Sequence, residues 1–185
     1  MHDPDTCKQQ YFTFFCYFKR MQTRILLTMA DGLITAVHIP AGLKPDAAAA
    51  PVAPAHARAW YLDWLEGDTP PVPAAWFAWS GISPFRKKVL AALQQVPHGR
   101  VVSYAGLARL AGCPAAVRAV AGVMAANPYP LFYPCHRVVS SDRRPGAYSR
   151  RPADPLKRRL LEREGVRFDP DGRIASASFF EIAGE

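Results

Sequence analysis

The chain is short of cysteine, of acid and of long apolar runs, and each shortage narrows what it can be. Its four cysteines, Cys7, Cys16, Cys113 and Cys135, show no C-x-x-C spacing, which argues against a disulfide framework and against a zinc knuckle. A reduced, cytoplasmic protein is expected. Cys7 and Cys16 with His2 or His38 are too irregularly spaced for a metal site, so no metal is expected. The aromatic stretch 11–18 is far too short to span a bilayer and has no small-residue cleavage site behind it, so it reads as structure and no membrane contact is expected. Acidic residues number 15 against 23 Lys and Arg, leaving a net charge of +8. That balance permits a polyanionic partner without identifying one. What remains is 185 residues of 50% hydrophobic composition, enough for one sizeable domain or two small ones.

The least common chemistry is crowded into Pro134-Cys135-His136-Arg137-Val138. A cysteine becomes a strong nucleophile only as its thiolate, and cationic or hydrogen-bonding neighbours favour that form. His136 and Arg137 are the adjacent candidates. If residues 131–139 run extended, side chains alternate faces, and His136 points away from the Cys135 sulfur unless the backbone bends or a water bridges them. Taken alone, a cysteine flanked by Leu131, Val138 and Val139 would read as a small buried apolar residue.

Before this motif the chain divides into two regions, expected as 1–79 and 80–185. The apolar runs 24–29 and 33–39 flank Ala30-Asp31-Gly32, a strong hairpin signal, and residues 11–18 supply a third strand of a small antiparallel meander. The Ala- and Pro-rich stretch 41–54 cannot form a continuous helix. Residues 56–65 carry Ala59, Leu62, Trp60 and Trp64 at helical spacing, with Gly67 as a stop. The stretch 68–73, with three prolines, is the candidate linker, and Trp76, Phe77 and Trp79 are expected to pack the two halves together.

Ser83-Pro84 opens a helix with Phe85, Val89, Leu93 and Val96 on one face. Ser103 caps a second that ends at Gly112, and Pro114 opens a third, which together form a helix-turn-helix pattern. On the third helix Val117, Val120, Ala121 and Met124 make the inward stripe. The opposite stripe is Ala115, Arg118, Ala119, Gly122 and Ala126. Such a small-residue face with one arginine can approach a minor groove closely, with the arginine wedging into a base stack. A helix near 154–164 places Glu164 on the face of Leu156 and Leu160. An inward acid at a helix C-terminus opposes the helix dipole, and His136 is its natural partner.

These residues resemble the alkylguanine-DNA alkyltransferases over about residues 85–165, on the Pro-Cys-His-Arg-Val motif, the preceding Asn127-Pro128, Arg118-Ala119-Val120, Ser103-Tyr104, Tyr148-Ser149 and Glu164-Gly165. The resemblance implies an α+β protein with a small antiparallel-sheet N-terminal domain and a mostly helical C-terminal domain bearing a winged helix-turn-helix-like unit. It implies single transfer of an alkyl group from guanine O6 in double-stranded DNA to Cys135, with no cofactor and no obligate protein partner. Cys135, His136, Glu164 and Asn127 are then the catalytic set, the carboxylate, imidazole, a water and the thiol forming a relay. Arg118, Tyr104, Ala119, Gly122 and Ser103 form the DNA face. Tyr148, Ser149, Met124, Pro130, Val138 and Arg137 line the substrate pocket. The chain departs from the family at Arg143, Arg150 and Arg151, where glycines are expected. Two other readings compete. A lesion-recognition protein that flips guanine without reacting would have lost Cys135, and a redox-sensing helix-turn-helix regulator would show paired thiols or dimerisation heptads, neither of which is present.

Overall fold

The computed structural model describes residues 10–18, 21–39, 54–67, 69–148, 155–180 and 182. The chain separates into two compact units: Met1–Ser80 with Pro128–Pro130, and Gly81–Asn127 with Leu131–Glu185.

The first unit is built on an antiparallel meander of β1 (Gln10–Phe18), β2 (Met21–Ala30) and β3 (Leu33–His38), with β2 central. Asp31 and Gly32 take φ of 50° and 76°. A two-residue turn with both φ positive matches the twist of the strands it joins, which is why Asp-Gly serves there. Alternation buries Ile25, Leu27 and Met29 while Leu26 faces out. Helix α1 (Ala55–Glu66) buries Ala57, Trp60, Tyr61, Trp64 and Leu65, a full i, i+3, i+4, i+7, i+8 stripe. The sequence pattern had included Ala59 and Leu62 in that stripe, but both are exposed, because Tyr61 and Leu65 complete the apolar face instead. Gly67 ends the helix in the left-handed conformation, φ 95°. The Trp60 indole donates to the Pro70 carbonyl at 2.8 Å. Phe77 and Trp79, expected between the halves, cluster with the Tyr129 ring inside this unit at centroid distances of 4.6 and 5.7 Å.

The second unit is mostly helical. Helix α2 (Pro84–Leu93) has proline at its first position, and the Ser83 hydroxyl accepts from the Arg86 amide. It buries Val89, Leu90, Ala92 and Leu93. Ser103 ends β4 (Val102–Ser103) and caps α3 (Tyr104–Leu110), accepting from the Gly106 amide at 2.9 Å. Gly112, φ 61°, turns the chain into a short 3-10 segment and then α4 (Val117–Ala125). Strand β5 (Val138–Val139) pairs in parallel with β4, so the stretch after Cys135 runs beside the start of α3. Helix α5 (Pro155–Arg163) buries Lys157, Leu160 and Leu161. Val101, Val139, Leu161, Val166 and Ile174 form a common core. The tail joins it: Phe179 bridges Val101 in parallel, and Phe168 bridges Ile174.

Candidate active site

The Cys135 segment is not extended. Residues Cys135–Arg137 form a single 3-10 turn, closed by Arg137 N–H donating to Pro134 O at 2.8 Å, before the chain straightens into β5. Pro134 limits the turn's φ, and the Cys135 amide donates to the Tyr133 carbonyl at 2.7 Å. The bend removes the strict alternation that would have sent His136 to the opposite face. Cys135, His136 and Arg137 are all buried.

Behind the turn lies Glu164, just past the end of α5. Its Oε1 lies 2.9 Å from His136 Nε2 and 2.8 Å from Arg137 Nη2, and its Oε2 accepts from Arg137 Nε at 2.8 Å. Arg137 Nη1 donates to the Val96 carbonyl at 2.8 Å. Arg137, expected in the substrate pocket, therefore commits its guanidinium to a bidentate ion pair and a loop carbonyl. The planar fork of arginine matches the two oxygens of the carboxylate.

The charges can be assigned from these contacts. Burial alone would raise the Glu164 carboxyl, but His136 and Arg137 outweigh it and hold the group far below the ordinary carboxylate range. Burial lowers the His136 pKa further than Glu164 raises it. The imidazole is thus neutral, and the permanently charged Arg137 is the cation that keeps Glu164 ionised. With Nε2–H donating to Glu164, Nδ1 is the free lone pair of the ring, and it is buried with no hydrogen-bond partner among the described residues.

Burial pushes the Cys135 thiol up, and the Asn127 side chain, the charge of Lys157 and the Tyr148 hydroxyl oppose it. The balance leaves Cys135 a thiol in the resting protein, so the adjacent His136-Arg137 pair does not preform the thiolate. Asn127 Nδ2 also donates to Tyr133 O at 2.8 Å. It stands one residue beyond Ala126, the C-cap of α4.

Lys157 escaped the sequence reading. Its side chain is fully buried, and Nζ donates to Val138 O at 2.7 Å and to Ala147 O at 3.4 Å. It thus ties β5 to the stretch that carries Ala147. Burial lowers its pKa to about 8, against the pull of Cys135. The signal was present: Lys157, Leu160, Leu161 and Glu164 fall at i, i+3, i+4, i+7, a better inward stripe than Leu156, Leu160 and Glu164.

The remaining candidates separate by position. Tyr104 opens α3, and burial first, then Cys135, raises its pKa, which ties its hydroxyl to the thiol's surroundings. Ser103 is that helix's cap. On α4, Arg118, Ala119 and Gly122 are exposed together, and a Cβ added at Gly122 would meet nothing within 4 Å. Met124 and Val138 are buried. Pro130 is buried too and groups with the first unit. Tyr148 is 4% exposed. Ser149, Arg150 and Arg151 lie outside the described residues, as does Cys7. Arg143 takes φ 65°, the left-handed region in which a glycine would be unstrained. Among the described residues no three His, Cys, Asp or Glu side chains stand together as a metal site, and no helix is long and apolar enough to cross a membrane.

Comparison with known proteins follows the same geography. The family model for the DNA-binding domain of 6-O-methylguanine DNA methyltransferase matches residues 84–166. A methylated-DNA--protein-cysteine methyltransferase of Methanothermobacter thermautotrophicus is 40% identical over 86 residues, covering 46% of this chain and 47% of that protein. The Homo sapiens protein of the same name is 45% identical over 103 residues, 55% of this chain and 49% of its own length. The chain thus spans about half the length of these curated relatives. Among solved structures, the O6-methylguanine-DNA methyltransferase of Pyrococcus kodakaraensis superposes with a TM-score of 0.68 at 26% identity, over 85% of this chain and 100% of that one.

Proposed function

We propose that this chain, whose residues 84–166 belong to the 6-O-methylguanine DNA methyltransferase DNA-binding family, repairs DNA by moving an alkyl group from guanine O6 to Cys135. The observation that carries the reading is the buried chain of contacts from Glu164 through His136 to the Cys135 turn. It is the arrangement of a hydrolase triad with sulfur as the nucleophile.

Cys135 is a thiol at rest, so it needs a base, and neutral His136 offers the Nδ1 lone pair. The proton passes from Sγ to Nδ1 through a bridging water, and ionised Glu164 stabilises the imidazolium that forms. Asn127, Tyr148 and Lys157 direct donors or charge at the nascent thiolate. Sγ then attacks the alkyl carbon from the side opposite O6. The C–O6 bond breaks with its electron pair going to the guanine, a tyrosine hydroxyl stabilises the departing base by giving it a proton, and the proton held on His136 returns through solvent to that tyrosine. The product thioether has no leaving group that a nearby imidazole, amine or carboxylate could displace, so each molecule acts once.

Residues 1–79 are read as a structural domain and 80–185 as the transferring and DNA-binding one. Double-stranded DNA carrying alkylated guanine would lie against α3 and α4, where the exposed methyl of Ala119 and the bare backbone of Gly122 admit a groove wall. Arg118 fills the stack left by the flipped nucleotide, and Tyr104, at the start of α3, helps turn it out. Met124, Val138 and Tyr148 line the pocket in this reading, which needs no cofactor, membrane or obligate protein partner and fits a cytoplasmic protein.

The test is a duplex carrying O6-methylguanine with a labelled methyl group. One equivalent of label should appear on the peptide containing Cys135, and none on Cys135→Ser. Binding of the modified duplex without label transfer would favour a lesion-recognition protein instead.

A further inference from the structure

Arg86 lies in the first turn of α2, and its neighbours Lys87 and Lys88 are exposed while Arg86 is half-buried. Its Nη2 donates to the Ala126 carbonyl at 2.6 Å, across 40 residues of sequence. Its Nε is buried with no hydrogen-bond partner among the described residues. The Nε edge of the guanidinium has therefore been taken out of water while Nη2 reaches one carbonyl, an arrangement that costs desolvation unless that bond is a strong one.

The identity of that carbonyl matters. The Ala126 oxygen belongs to the peptide group whose nitrogen is that of Asn127. α4 ends at Ala125, and the Asn127 amide reaches back only to Met124 O, at 3.4 Å, so the helix itself holds this peptide weakly. Ahead of it, the Asn127 side chain donates to Tyr133 O at 2.8 Å, the carbonyl that also receives the Cys135 amide at 2.7 Å. A cation at a helix C-terminus is also favoured by the negative end of the helix dipole.

We propose that Arg86 is a positioning residue for the acceptor thiol: by holding the Ala126–Asn127 peptide it aims the Asn127 amide at the Tyr133 carbonyl and the Cys135 sulfur. The proposal rests on the reading of Cys135 as the acceptor. Arg86 does not touch the sulfur, so its influence passes entirely through Asn127.

The experiment is a double-mutant cycle between Arg86→Met and Asn127→Ala, read by the pH dependence of Cys135 alkylation with iodoacetamide and by methyl transfer from an O6-methylguanine duplex. Arg86→Met should move the alkylation profile to higher pH and slow both reactions at neutral pH by about 10-fold, the scale of one hydrogen bond to a charged group. Arg86→Lys should restore much of the rate. In the Asn127→Ala background, Arg86→Met should change neither reaction further, because residues acting through one contact are not additive. If Arg86→Met does not fold, Arg86→Gln, which keeps a donor and loses the charge, takes its place in the cycle and should fall between wild type and Asn127→Ala. A lowered melting temperature with an unchanged alkylation profile, or effects of Arg86 and Asn127 that simply add, overturns the proposal. Iodoacetamide does not depend on DNA repair: a wild-type protein that accepts no methyl group defeats the proposed function, while the alkylation cycle still decides for or against Arg86.

Discussion

Arg137 grips both oxygens of Glu164, Nε on Oε2 and Nη2 on Oε1, each at 2.8 Å, while His136 shares Oε1. The arginine two residues after Cys135 thus acts on the far side of the histidine. It keeps the carboxylate ionised, and the carboxylate keeps the imidazole turned with Nδ1 free.

Glu164→Gln should therefore damage the protein twice. It leaves the buried Arg137 without its counter-charge, a loss of roughly 3–5 kcal/mol for a broken buried pair, and it removes the acceptor that supports a protonated His136. Chemical denaturation and the transfer rate measure the two separately; a normal rate in folded Glu164→Gln would make the glutamate structural only. The same pair predicts acid sensitivity. Glu164 is held below its ordinary value of 4.5, so its contribution is fully present above that pH and is lost as the pH falls below it towards the folded-state pKa. Arg137→Met should remove much of this acid dependence.

Arg118→Ala should impair transfer from a duplex far more than transfer from free O6-methylguanine. Extruding the base costs a few kcal/mol of stacking and pairing, part of which an inserted side chain offsets, so a loss of about 10-fold or more on duplex alone is expected. Rates on both substrates settle it. Equal losses would return Arg118 to an ordinary exposed arginine at the rim of α4.

How much of this was legible follows from the range of each interaction. Asp31-Gly32, Ser83-Pro84, Ser103 and Gly112 mark their turns and caps because the constraint lies within a few residues: a positive φ, a fixed φ, or a hydroxyl three positions before an amide. The inward turn of Glu164 could be read from one helix face. The Arg137 ion pair spans 27 residues and the Lys157 bond to Val138 spans 19, and no local pattern states such distances. The bent backbone at Cys135–Arg137 was left open against an extended run for a related reason. Alternation presumes a strand, and only the pairing of β5 with β4 fixes where the strand begins.

Tyr148→Phe keeps the buried ring and removes a hydroxyl that favours the ionised form of Cys135. The thiol should become harder to ionise, and transfer should slow by about 10-fold at neutral pH with little change in stability. Iodoacetamide profiles and melting temperatures are the readouts. A variant that loses stability without any shift in thiol titration would assign the hydroxyl to packing.

Lys157 gives the pH profile its upper limb. Cys135 is raised by burial, so on the rising side the rate should grow with pH as the thiol yields its proton more readily. Lys157 has a pKa lowered to about 8, and the charge that faces the thiolate disappears as the pH passes that value. Transfer should accordingly level off or fall above about pH 8, where an unperturbed lysine would still be charged. The sign can be checked on stability as well. Because the folded-state pKa is depressed below the ordinary 10.5, the unfolded chain binds the proton more tightly between those values, and stability attributable to this group should rise with pH there. Lys157→Met removes the charge at every pH; it should lower the neutral rate and abolish both the fall in rate and the rise in stability. An upper limb that persists unchanged in Lys157→Met belongs to another group, and Tyr104, whose pKa burial raises from its ordinary 10.0, would titrate too high to supply it.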